Sequence, residues 1–255
     1  MTVIVIACAT FVSTLLGGLV ALKLKDQLHL ILGFSAGAVI GVAFFDLLPE
    51  SMELGEKYFA HDTVTGVMAL GFLLYLILDR LVFLHAHAHS QDQDHEHTHE
   101  RSTAAAPSKH IQRGILGAGS LSIHSFLDGV AIGLAFQVSA SIGVIVAVAV
   151  LVHDFSDGIN TVNFILKNEG EANRALHWLI VDAVAPVAGA ASTLLFRLPE
   201  EGLSIVLAVF SGFFLYIGAS DLIPESHHAH PKFLTTVMTL LGAAVLYAAI
   251  HLANL

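Results

Sequence analysis

The stretch LSIHSFLDGVAIG, residues 121–133, and its near copy VLVHDFSDGINTV, residues 150–162, each set a histidine and an aspartate four residues apart in an apolar run. Residues i and i+4 share one face of a helix, so His124 points with Asp128, and His153 with Asp157. If these runs cross a bilayer, each ionised aspartate near its centre costs about 2.5–3.5 kcal/mol. Whether they do cross decides how the rest of the chain reads.

Composition says that they do. The chain has 255 residues, 55% hydrophobic and 13% charged, with mean hydropathy +0.76. A soluble domain usually carries about 25% charged residues. Eight apolar stretches near twenty residues long read as spans, at about 2–22, 29–48, 63–84, 112–137, 141–166, 175–197, 203–223 and 232–254. The fold class is therefore an all-α membrane protein. No Lys or Arg precedes the first apolar run, so that run reads as a retained span rather than a signal peptide. The only cysteine, Cys8, lies within it and reads as an apolar core residue.

Of the eleven Lys and Arg residues, nine fall after spans one, three, five and seven. Only Lys57 and Arg197 fall after even spans. The positive-inside rule then makes the nine-residue side cytoplasmic and puts both termini outside. Four regions result: spans one to three in 1–84, a polar loop in 85–111, spans four and five in 112–166, and spans six to eight in 167–255. The loop carries seven histidines in alternation with acids. It reads as a low-complexity cytoplasmic segment in which His85, His87, His89, His95, His97 and His99 are loose metal-binding candidates. The plain alternative is a solvated linker.

A repeat is also visible. FSAGAVIGVAFFDLLPES, residues 34–51, resembles FSGFFLYIGASDLIPES, residues 210–226. One closes an even span and the other an odd span, so the copies run in opposite directions. That predicts an inverted 3+2+3 arrangement, a pattern common in secondary transporters. Gly33, Gly37 and Gly41 recur every four residues on span two and predict close helix packing.

Spans four and five are joined by a few residues and lie antiparallel, so their His/Asp pairs converge at one depth. Two imidazoles with two carboxylates suit a divalent transition metal such as Zn²⁺, Fe²⁺ or Mn²⁺, whereas Ca²⁺ and Mg²⁺ prefer all-oxygen shells. Gly129 and Gly158 are expected to let the two helices close on the ion. Asp154 is placed for a second ion or an access path, Ser125 is its counterpart on span four, and Asn160 continues the polar stripe. The bland alternative for any one of these is a helix–helix hydrogen bond.

At these residues the sequence resembles the ZIP (Zrt/Irt-like) family of divalent metal transporters. The likeness covers nearly the whole chain: eight spans, termini outside, a His-rich loop between spans three and four, HSFLDG and HDFSDG on spans four and five, and FFDLLPES closing span two. It implies that His124, Asp128, His153 and Asp157 form the main transport site, and that Ser125 and Asp154 adjoin a second one. It also implies a homodimer in the cell membrane, and spans one, four, five and six moving as a unit. The sequence departs from the family pattern at Ser125, usually Asn, and at Leu127 and Ser156, where many members have Pro. Ala185 stands before Pro186 where Glu is common, with Asp182 three residues earlier. These departures favour a single ion over a binuclear centre.

The reading is therefore uptake of a divalent metal, foremost zinc and also iron, manganese or cadmium, into the cytoplasm by alternating access. The ion is cargo; no catalytic cofactor and no nucleic acid is implied. Two rivals stand beside it. One is an intramembrane zinc hydrolase, although the spans hold no H-E-x-x-H motif. The other is a cation exporter, separated only by the direction of flux.

Overall fold

A computed structural model describes residues 2–21, 28–88, 109–168, 170–227 and 233–253. All regular structure in them is helical: α1 (Thr2–Ala21), α2 (Leu28–Val42), α3 (Leu48–Gly55), α4 (His61–Ala88), α5 (Lys109–Val138), α6 (Ala140–Lys167), α7 (Ala172–Ser192), α8 (Glu200–Tyr216), α9 (Ile223–His227) and α10 (Phe233–Ala253). Among the described residues, eight helical stretches are long and apolar enough to cross a bilayer. Cys8 is exposed on α1 rather than buried. An apolar side chain on a peripheral span is accommodated by lipid, so apolarity alone does not place it in the core.

The first DL(L/I)PES motif does not end its span, whereas the second lies where the seventh span ends, at Leu222. In each copy a π-helical turn, Ala43–Leu47 or Ile217–Leu222, carries the aspartate and leads into a further short helix. Leu48 N–H reaches back to the Ala43 carbonyl, and Ile223 N–H to that of Gly218. Pro49 and Pro224 then fall in the first turn of the new helix, where a missing N–H costs little. The second span thus runs from Leu30 to Gly55, past its expected end. Helix α4 likewise continues to Ala88, beyond the expected loop boundary at 84. His89, His95, His97 and His99 lie outside the described residues.

The helices sort into two groups. Helices α1, α5, α6 and α7 pack on one another, and α2, α3, α4, α8 and α10 form the second group, in which α2 packs on α10 and α4 on α8. The main seam between the groups is α2 against α6. Small and branched side chains of these two helices, among them Val39, Val42, Ile145 and Ala149, share one buried core cluster. Ser35 on α2 crosses the seam, donating to the Val152 carbonyl at 3.0 Å and meeting Ser156 Oγ at 3.3 Å.

Close approach within each group depends on reciprocal glycines. A Cβ on Gly129 would strike the Pro186 carbonyl of α7, and one on Gly189 the Phe126 carbonyl of α5. Gly158 and Gly17 do the same for α6 and α1, meeting Thr14 and Phe155. Gly37 and Gly242 join α2 to α10, and Gly71 and Gly212 join α4 to α8. The hexamer glycines therefore do not bring α5 and α6 together. They face away from the paired His and Asp, and lock α5 and α6 each to a different neighbour. The expectation of packing for the α2 glycines holds: Gly33, Gly37 and Gly41 all meet α10.

Candidate metal centre

Helices α5 and α6 are separated by Ser139 alone, whose extended backbone turns the chain and whose Oγ accepts from Ile142 N. This tight reversal makes them antiparallel neighbours, and the two hexamers meet in mid-bundle. His124, Asp128, His153 and Asp157 are all buried, and one ligand atom from each lies within 4.8 Å of the other three.

Asp128 Oδ2 is 3.1 Å from His124 Nε2 and 3.2 Å from His153 Nε2, and Asp157 Oδ2 is 3.6 Å from His124 Nε2. A tetrahedron with zinc–ligand bonds of about 2.0–2.1 Å has edges of about 3.3 Å. These separations are of that size. His124 Nε2 and Asp157 Oδ2 form no aligned hydrogen bond despite their short approaches. Such atoms aim at a common point rather than at one another.

His153 sharpens the argument. Its Nδ1 is 3.0 Å from the Ala149 carbonyl. A carbonyl only accepts, so Nδ1 carries the hydrogen, and Nε2 of the neutral ring presents its lone pair. That lone pair faces Asp128 Oδ2, another acceptor. A cation has to sit between them, either a proton or a metal ion. The neighbourhood extends this demand. Asp128, Asp154, Asp157 and Asp182 are all buried, and no Lys or Arg is buried among the described residues.

The remaining candidates are placed as follows. Asp154 is fully buried, with both carboxylate oxygens lacking a hydrogen bond and Oδ1 4.0 Å from His153 Nε2. It faces the cluster's edge. Asp182 on α7 accepts from Ser125 Oγ and from Thr161 Oγ1, each at 2.9 Å. Asp182 and Ser125 are thus occupied with each other and stand outside the four-residue cluster. Asn160 is half-buried, one turn beyond Asp157. His85 and His87 lie on the last turn of α4. The loop string HEHTH, residues 95–99, has the outline of H-E-x-x-H but lies outside both the spans and the described residues.

Sequence reasoning missed two hydroxyls. Thr161 is one. The other is Tyr75 of α4, whose Oη is 3.1 Å from His124 Nδ1. Tyr75 and Asp79 are four apart on one face of an apolar span, the same signal that exposed the hexamers.

Comparison with known proteins agrees with this geometry. A family model described as ZIP zinc transporter matches residues 1–114 and 84–249. The zinc transporter ZupT of Corynebacterium aurimucosum is 26% identical over 94% of the chain and 92% of its own length. Mouse zinc transporter ZIP4 is 32% identical over 40% of the chain, a match covering 16% of that longer protein, and the zinc transporter foi of Drosophila melanogaster is 27% identical over 47% of the chain and 17% of its own length. The family consists of transporters rather than enzymes. With its model matched along nearly all of the sequence, the chain belongs to the ZIP zinc transporter family.

Proposed function

We propose that the chain carries Zn²⁺, and related divalent ions such as Fe²⁺, Mn²⁺ or Cd²⁺, across the cell membrane into the cytoplasm. His124, Asp128, His153 and Asp157 are the ligands of one transport site. The observation that carries this reading is the convergence of two imidazole nitrogens and two carboxylate oxygens within 4.8 Å, buried in mid-bundle. Two carboxylates neutralise a divalent ion, and two nitrogens select transition metals over Ca²⁺ and Mg²⁺. Asp154 lines the access path, and Asp182, held by two hydroxyls, is structural. One ion is bound at a time.

The grouping of helices supports alternating access. All four ligands sit on α5 and α6 of one group, so a shift along the apolar seam moves the site whole. Two features support an inverted repeat relating spans one to three with six to eight. The paired motifs share the same π-helical turn. The packing partners also interchange: α1 with α6 answers α7 with α5, and α2 with α10 answers α8 with α4. The distribution of Lys and Arg puts both termini outside, and the His-rich loop buffers metal on the cytoplasmic face. The working unit is a homodimer. A potential of 100 mV contributes about 4.6 kcal/mol to a divalent ion, roughly three decades of accumulation, so uptake needs no ATP.

The test is flux in proteoliposomes containing the purified full chain. Zn²⁺ enters vesicles down an imposed gradient. His153→Ala or Asp157→Ala weakens zinc binding by about two to three decades, the cost of stripping a partner from a buried charge, and stops flux at micromolar metal. Wild-type vesicles that move no Zn²⁺, Cd²⁺, Mn²⁺ or Fe²⁺, or variants that match wild type, refute the reading. Oriented vesicles separate uptake from export.

A further inference from the structure

The two metal-facing histidines are held by different means. His153 is fixed by the Ala149 carbonyl of its own helix. His124 finds its Nδ1 partner on another helix, in the Tyr75 hydroxyl at 3.1 Å. Tyr75 belongs to α4, in the helix group that carries none of the four ligands. Its ring is wedged among aromatics of that group, with Phe213 at 5.2 Å and Tyr216 at 5.3 Å between ring centroids. Tyr216 is itself pinned by its hydroxyl to Asp79 at 2.8 Å and by its ring to Phe72 at 5.3 Å. The Tyr75 hydroxyl thus projects across the seam from a rigid mount.

We infer that Tyr75 is a positioning residue for the transport site: it orients His124 from across the seam and ties the site's affinity for metal to the relative placement of the two helix groups. This rests on the four-residue site proposed above. A metal-bound imidazole commonly donates its second N–H to a fixed acceptor, which sets ring orientation and tautomer. With metal on Nε2, Nδ1–H of His124 donates to Tyr75 Oη. Without metal, the same hydroxyl can donate to Nδ1 while Nε2–H turns toward Asp128. A phenol serves both cases, and a phenyl ring serves neither. When the α5–α6 pair shifts against α4, His153 keeps its partner and His124 loses its own. The site then holds its ion less tightly, which is the requirement for release.

The experiment measures zinc affinity of the detergent-purified full chain by competition with a chelating indicator. X-ray absorption at the zinc edge counts imidazole ligands in parallel. Tyr75→Phe keeps the ring stack and deletes only the hydroxyl; it weakens Kd by about tenfold and lowers the imidazole count from two toward one. In a His124→Ala background the same substitution adds no further loss. Leu73→Ala, an exposed position of the same helix outside the aromatic cluster, leaves both readouts at the wild-type value. The inference is overturned if Tyr75→Phe binds zinc as wild type does, if its full effect persists without His124, or if Leu73→Ala reproduces it. A wild-type chain that binds no zinc, or one indifferent to His153→Ala, overturns the site itself and this inference with it.

Discussion

The alternating access proposed along the α2–α6 seam should be stopped by one covalent bond. Ser35 Oγ and Ser156 Oγ face each other at 3.3 Å across that seam. With the exposed Cys8 changed to Ser, the double substitution Ser35→Cys, Ser156→Cys leaves only two cysteines in the chain. A disulfide is about 2.05 Å long, so closing it asks the two sulfurs to approach by about 1.2 Å, within reach of side-chain rotation. The ligands lie on α6 and α5, and the cross-link touches none of them. Zinc affinity should therefore be retained while transport ceases. If about nine tenths of the chains are cross-linked, about a tenth of the flux should remain, and a reductant should restore it. The assay is zinc influx into proteoliposomes before and after oxidation, with the cross-linked fraction read by gel shift after cleavage in the 89–108 loop. Undiminished flux through fully cross-linked protein would refute the sliding seam and leave a fixed channel through the bundle.

Further expectations concern residues around the site. Asp182→Asn should leave zinc stoichiometry at one per chain by elemental analysis, because Asp182 is committed to Ser125 and Thr161; weakened hydroxyl bonds should cost about 1 kcal/mol, seen as a lower melting temperature in detergent. Gly158→Ala drives a methyl into the Thr14 carbonyl and should destabilise by about 1–3 kcal/mol. Gly66→Ala on α4, where an added Cβ meets nothing within 4 Å, should melt no lower than wild type. Deleting residues 89–108 should preserve flux in vesicles and reduce only the weakly held metal removed by dialysis against a mild chelator.

Much of this architecture was legible because membranes impose simple rules. Length and apolarity mark the spans, and a pair of H-x-x-x-D strings at matched depth is too costly to be packing. The resemblance carried by HSFLDG and HDFSDG pointed to the same four residues that the fold brings together. Other features lack a linear signal. A π-helical turn lengthens the hydrogen-bond spacing by a single residue, which leaves no mark in the sequence, so the motif at Asp46 reads as a helix end at its proline. Cys8 looked buried because apolarity cannot distinguish core from lipid. Ser125 carries no linear sign of its neighbour: Asp182, from a helix more than fifty residues away, takes its hydrogen bond. Tyr75 did carry a linear signal, its spacing from Asp79, but its partner His124 is on another span.

The glycine that closes each hexamer gives the motif two working faces. The histidine and aspartate look inward, while Gly129 and Gly158 press backward onto carbonyls of α7 and α1. Grafting H-x-x-x-D-G into an unrelated helix bundle would therefore transplant only half the device. The recipient needs a neighbouring backbone close enough to seat against the bare α-carbon, or the donor atoms will wander. Sequence variation along these helices answers to two independent masters, coordination on one side and interhelical contact on the other. A substitution that silences the protein from the rear face would leave the chemistry of the ligands untouched.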